Sequence, residues 1–215
     1  MATEEPRVDR PRAGNAPPSW AQALLPWLVR ADRADNIDGD LLEEYRETML
    51  PERGQRRADA WYVRQVAGLL WRLSWAFGVL VALQVLTRMV ADVIVPPDSY
   101  QLRAILSTWG AIYAYVIAGA YAGWRTHRAR TGAVVALAAH ALGHTIAIAG
   151  TVGLYIALIS RDSTMLRQFR VTGGWGEVWG LPLVVMPVVI VLGLAGGLVG
   201  ARLRRDSQRR SGVPA

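Results

Sequence analysis

The chain has no cysteine, which excludes disulfides, thiolate metal sites and thiol nucleophiles outright. It has no lysine either; all 24 basic residues are arginine, a bias that reads as a GC-rich genome more than as function. No G-x-S-x-G, no membrane H-E-x-x-H and no phosphate-binding P-loop occurs. The adjacent Glu43 and Glu44 suggest the paired glutamates of membrane CAAX-type proteases, but Thr48 stands where that family places arginine. Enzymatic activity is therefore not expected, and neither is a cofactor. The polar N-terminus, Met1 to Ser19, has no apolar run behind it and does not read as a signal peptide.

Charge is missing above all from three long runs: residues 104–123, 131–160 and 178–201. A fourth run, 73–95, is interrupted only by Arg88 and Asp92. A hydrocarbon core about 30 Å thick needs roughly 20 apolar residues of helix, so each run is long enough to span a bilayer. Inside lipid every backbone amide must be satisfied within the protein, and runs this continuous suit helices rather than barrel strands. The expected fold is all-α: an integral membrane four-helix bundle with spans at about 73–95, 104–123, 132–159 and 178–201. The lipid bilayer is then the first partner.

Net charge is +7 and pI about 10.5, values that suit either nucleic acid or a membrane. Distribution decides against nucleic acid, because the arginines cluster at span boundaries and no folded basic domain remains. Arg53, Arg56, Arg57, Arg64 and Arg72 precede span one; Arg125, Arg128 and Arg130 link spans two and three; Arg202, Arg204, Arg205, Arg209 and Arg210 follow span four. Positive loops stay cytoplasmic, so both termini are expected inside a bacterial plasma membrane, with 202–215 a basic cytoplasmic tail. The segment from Ser160 to Glu177 reads as an outer loop whose three arginines dilute the asymmetry. Trp71, Trp75, Trp124, Trp175 and Trp179 fall at span ends, where amphipathic indoles prefer the headgroup level.

Small residues repeat at four-residue steps: Gly119/Gly123, Gly193/Gly197, Gly196/Gly200 and Ala139/Gly143. Such steps let helix backbones approach closely, either within the bundle or between copies of the chain. Pro182 and Pro187 are expected to kink span four.

Ahead of the membrane, residues 1–17 are Pro-rich without apolar period and read as a disordered tail. Residues 18–72 read as a cytoplasmic amphipathic helical module. Trp20, Leu24, Trp27 and Leu28 share one helical face; Ile37, Leu41, Tyr45 and Met49 follow at four-residue steps; and eight of the 17 acids lie between Asp32 and Glu52. Pro51 and Gly54 break this helix, and a third, from about Gln55, runs into span one. Leu41, Tyr45, Met49, Trp61, Tyr62 and Gln65 are the candidate partner-binding residues, facing another membrane protein or a second copy.

The segments G-D-L-L-E-E-Y-R-E at 39–47 and W-Y-V-R-Q-V at 61–66 resemble the permease prefix region found ahead of macrolide-exporter-type ABC permeases in acidobacteria and similar soil bacteria. The resemblance covers roughly a quarter of the chain (residues 18–72). It implies a stand-alone prefix-type membrane protein, an accessory or regulator of such a transporter, and brings no established catalytic residues.

Ionisable groups in a bilayer are costly and hence functional candidates. Gln84, Arg88 and Asp92 share one face of span one, where Arg88 and Asp92 are either a snorkelling pair at the outer interface or part of a gate or polar-ligand site. His140 and His144 stand about 12 and 18 Å into span three, counting from Gly132, with Tyr113 of span two at comparable depth. Gln84 or Tyr113 would satisfy a buried imidazole. Two histidines at this spacing also suit a metal or a proton relay, but no Cys, Asp or Glu lies at that depth to complete a zinc shell. Two functions remain open: a non-enzymatic membrane protein acting by protein contact, or an oligomeric transporter or channel component with a polar intramembrane path.

Overall fold

A computed structural model describes residues 16–30, 32–95 and 97–211, and every regular element among them is helical. Four of the helices are long and apolar enough to cross a membrane, so this is a multi-pass membrane protein. The chain divides into two compact units between Leu69 and Leu70; the sequence placed that division at 72/73.

The N-terminal unit contains α1 (Ser19–Leu28), α2 (Ala34–Glu44), α3 (Leu50–Arg53) and the first part of α4 (Gln55–Ile94). Tyr45–Met49 form a π-helical turn between α2 and α3, with the Leu50 N–H reaching back five residues to the Tyr45 carbonyl. That widened turn sits directly before Pro51, whose ring would crowd the carbonyl four residues earlier and which has no N–H to donate. Pro51 therefore does not break the helix, as its position in sequence suggested. The break falls at Gly54, whose φ of +72° is costly for any residue with a Cβ.

Ala21, Leu25 and Leu28 of α1 are buried with Tyr45, Met49, Ala58, Tyr62 and Val66. The Tyr45 hydroxyl donates to Asp59 Oδ1 at 2.6 Å, and Gln55 Nε2 donates to both, at 2.7 and 2.9 Å. The ring of Tyr45 meets Tyr62 edge-on, centroids 6.0 Å apart, and the Tyr62 hydroxyl reaches Asp38 at 3.3 Å. Of the expected disordered tail, residues 1–15 lie outside the described residues. Ala16 and Pro17 correct the expectation: Pro17 is buried, and the Ala16 carbonyl accepts from Tyr45 at 3.3 Å.

Burial and the Asp59 carboxylate push the Tyr45 phenol up to about 12, from an ordinary 10.0. A raised phenol stabilises the fold fully below pH 10, and that contribution is lost as pH rises towards 12. Tyr45→Phe is accordingly expected to remove one tyrosinate from the end of a spectrophotometric titration near pH 12 and to cost about 1–2 kcal/mol at neutral pH. A proton missing instead from the early part of the curve would contradict the buried placement.

The membrane unit comprises the rest of α4 with α5 (Tyr100–Thr126), α6 (Ala129–Ala157), α7 (Ser163–Val171) and α8 (Gly174–Ser211). Gly119 and Gly123 of α5 meet Gly193 and Gly197 of α8 in parallel register, and Gly132 of α6 fits between them. Gly196 and Gly200 of α8 lie against the backbone of α5 at Val116 and Ala120. Both glycine faces of α8 are therefore used inside the bundle. Gly78 of α4 approaches α6, where its Cβ would stand 2.7 Å from Leu142 Cδ2, and its carbonyl lies 2.8 Å from a Cβ built on Gly143. Helices α4 and α6 thus run one way, α5 and α8 the other. Large apolar side chains such as Leu83, Leu106, Ile117 and Val184 face outward, as a helix surrounded by lipid requires.

Two boundaries differ from the sequence reading. The expected outer loop at Ser160–Glu177 contains α7, a helix capped by Asp162, whose Oδ1 accepts from the amides of Thr164 and Met165 at 2.7 and 2.9 Å. Phe169 of α7 is buried with Val93, Ile159 and Val178, and its ring packs on Tyr155 and Trp175. The expected basic tail is helical from Arg202 to Ser211 as the end of α8, and the Arg204 guanidinium lies 5.1 Å above the Trp124 ring; residues 212–215 lie outside the described residues.

Candidate functional site: a polar-ended cavity in the membrane unit

The glycine contacts hold α5, α6 and α8 together at the end of the bundle where α5 turns into α6. Towards the other end, around Pro182 of α8, side chains of these helices and of α4 border an open space. Between them lies a cavity of about 210 Å³ with walls from all four spans. Val81, Val85, Ala111, Ile148, Val185 and Val189 supply apolar wall, while Arg88, Asp92 and Glu177 gather at one end.

Those charges form a closed network. Arg88 Nε stands 3.3 Å from Asp92 Oδ2, one turn along α4, and its terminal nitrogen pairs closely with Glu177 of α8. Arg103 of α5 donates to the other Asp92 oxygen at 2.7 Å and also bonds Ser99. The Tyr100 hydroxyl accepts from Arg88 at 3.2 Å and faces Glu177 at 3.5 Å. Two guanidinium groups and two carboxylates balance, and Asp92 is only 3% exposed. The i, i+4 pair was legible in sequence. Arg103 and Glu177 read as loop charges and were missed as members, although each lies within a turn of a span end at the depth of Asp92.

His140 is buried and doubly bonded: its Nε2 lies 3.0 Å from the Pro182 carbonyl and its Nδ1 2.8 Å from the Tyr115 hydroxyl. A carbonyl only accepts, so Nε2 carries the proton and Tyr115 donates to Nδ1. His144 donates its Nδ1–H to the His140 carbonyl at 3.0 Å, and its ring stacks near that of His140 with centroids 4.2 Å apart. Gln84 donates across to the Ser107 carbonyl of α5, with its amide against the open face of Gly110.

Tyr113 does not join this group; it is 60% exposed on the outside of α5. Depth along the axis had pointed to it, but two residues are about 200° of helix rotation, so Tyr115 faces inward. Tyr115→Phe is expected to cost about 1–3 kcal/mol by orphaning His140 Nδ1, while Tyr113→Phe leaves detergent-phase stability unchanged. Thermal unfolding of the two variants side by side checks this, and equal effects would contradict it. Among the described residues no three His, Cys, Asp or Glu side chains are grouped to hold a metal.

In the N-terminal unit, the residues expected to face a partner divide. Tyr45, Met49 and Tyr62 are buried in the unit's own core, a correction, because closing the helices on one another removes those rings from water. Leu41 and Trp61 are partly exposed, and Gln65 is exposed. The apolar face of α1 is likewise rotated from expectation: Ala21, Leu25 and Leu28 are inside, and Trp20 and Trp27 are 58% and 37% exposed. The small Ala21 gave no signal of this in sequence. No protein-family model, curated protein or solved structure matches the chain.

Proposed function

We propose that this is a non-enzymatic multi-pass membrane protein that acts by contact with another membrane protein, as an accessory or regulatory partner of an ABC-type transport system. The observation that carries this reading is the outward face of α1, where Trp20, Ala23 and Trp27 are exposed in succession on a unit whose other large rings are mostly inside. Exposed indoles on a folded acidic unit are the side chains most often found at the centre of protein interfaces. The likeness of residues 39–47 and 61–66 to a permease prefix supports the same choice of partner.

We place this unit and both termini in the cytoplasm of a bacterial cell. The α5–α6 turn and the end of α8 carry eight arginines against one acid, Asp206, whereas the opposite end sets Arg88, Arg103, Arg161, Arg167 and Arg170 against Asp92, Asp98, Asp162 and Glu177.

The test is photo-crosslinking in whole cells from a reactive amino acid placed at position 23 of the full chain. A discrete membrane-protein adduct is expected, dependent on irradiation and reduced at least about tenfold by Trp20→Ala. Adducts to lipid alone, or only to a second copy, would remove the reading. The cavity favours a second reading, a transporter component with Gln84, Arg88, Asp92, His140 and His144 along a polar path. Such a path must open the glycine junction, where α5, α6 and α8 leave no space between backbones.

A further inference from the structure

We propose that the cavity of the membrane unit binds a small uncharged amphiphile: one aromatic ring, or a chain of about six to eight carbons, with a hydroxyl or N–H head. Size sets the scale. An apolar cavity of about 150 Å³ accommodates benzene, and this one, at about 210 Å³, has room for a ring with a substituent.

Charge sets the class. Arg88, Arg103, Asp92 and Glu177 already balance among themselves, so a ligand with a net charge would leave an uncompensated ion in a poorly solvated site. Neutral ligands carry no such penalty.

Hydrogen bonding sets the head group. His144 gives its Nδ1–H to the His140 carbonyl, which leaves Nε2 with a lone pair, and His144 lines the cavity. Gln84 gives its NH2 to Ser107, which leaves Oε1 as an acceptor, and it too lines the cavity. Midway along an apolar wall the site therefore offers two acceptors, and a ligand with a donor matches them. Water would satisfy the same acceptors, but it would leave the walls of Val81, Val85, Ile148, Val185 and Val189 facing a polar filling.

The experiment uses the full chain in phosphatidylcholine nanodiscs with 4-fluorophenol as probe, read by fluorine NMR line broadening against empty nanodiscs. Saturable binding is expected, with a dissociation constant on the order of 0.1–1 mM for a ligand of this size. Ala111→Phe and Val185→Phe fill the cavity from two different helices, α5 and α8, and each should weaken binding at least tenfold while the protein keeps its elution volume. His144→Ala should weaken 4-fluorophenol about five- to tenfold and leave 4-fluoroanisole, which lacks the donor, unaffected. Broadening equal to that of empty nanodiscs would show a cavity holding water only and overturn the proposal. Saturable binding untouched by both filling variants would put the site elsewhere, and equal affinity for 4-fluorobenzylammonium would refute the choice of a neutral ligand.

Discussion

Gly197→Leu is expected to unfold the membrane unit or to destabilise it by about 3 kcal/mol or more, at or beyond the top of the usual range for overpacking. A Cβ at Gly197 would collide with the Ala129 carbonyl, and one at Gly200 would meet the Ala120 carbonyl and stand 2.9 Å from the Trp124 nitrogen. Flexible side chains rotate away from an added methyl group; a backbone carbonyl fixed in a helix ladder does not. Lipid offers helices no hydrophobic drive to associate, so van der Waals contact between these backbones provides much of their attraction. Gly153 makes a matched control, since a Cβ there meets nothing within 4 Å; Gly153→Ala should be neutral or stabilising by up to about 1 kcal/mol. Unfolding in mixed micelles by graded addition of sodium dodecyl sulfate, followed by tryptophan fluorescence, compares the two. If Gly197→Leu tracked the parent protein, the packing of α8 against α5 and α6 would be misassigned.

Asp92→Ala is expected to cost about 3–5 kcal/mol, the range for breaking a buried ion pair by removing one partner. Asp92 holds Arg88 through one oxygen and Arg103 through the other, so its loss leaves two guanidinium groups facing each other with only Glu177 between them and neutrality. Arg103→Ala alone should be milder, because Asp92 keeps Arg88. The double variant Asp92→Ala/Arg103→Ala should recover part of the loss, with a coupling energy of about 1–3 kcal/mol in a double-mutant cycle. Strict additivity would mean the two side chains do not share the network. Glu177 gives a cross-check from α8: Glu177→Gln keeps the shape and removes the charge, and should also be less damaging when Arg88 is replaced with it.

Recognition of spans needs only local information, and the four runs were therefore legible. Each residue of 178–201 contributes to hydropathy without reference to any neighbour in space, and the thickness of hydrocarbon converts run length into a crossing. The glycine steps were legible as close-packing residues, but their partners were not. Nothing in the sequence states that Gly193 and Gly197 meet α5 and α6 while Gly196 and Gly200 meet α5 on an adjoining face. The segment at 160–177 misled because its arginines look like loop charge. Asp162 ahead of Ser163, with Met165, Leu166 and Phe169 on one face, held the helical signal, and a capping residue with so short a helix is easily outweighed by composition.

What the sequence determined by itself is the medium this protein occupies and the order in which its helices cross it, because burial in lipid is a property of each run taken alone. What only the tertiary structure decided is which polar groups meet. Helix azimuth turned Tyr115 rather than Tyr113 towards His140, and packing brought Glu177 and Arg103 to Arg88 and Asp92. Such pairings join residues on different helices, and their energies depend on distances that no single stretch of chain specifies.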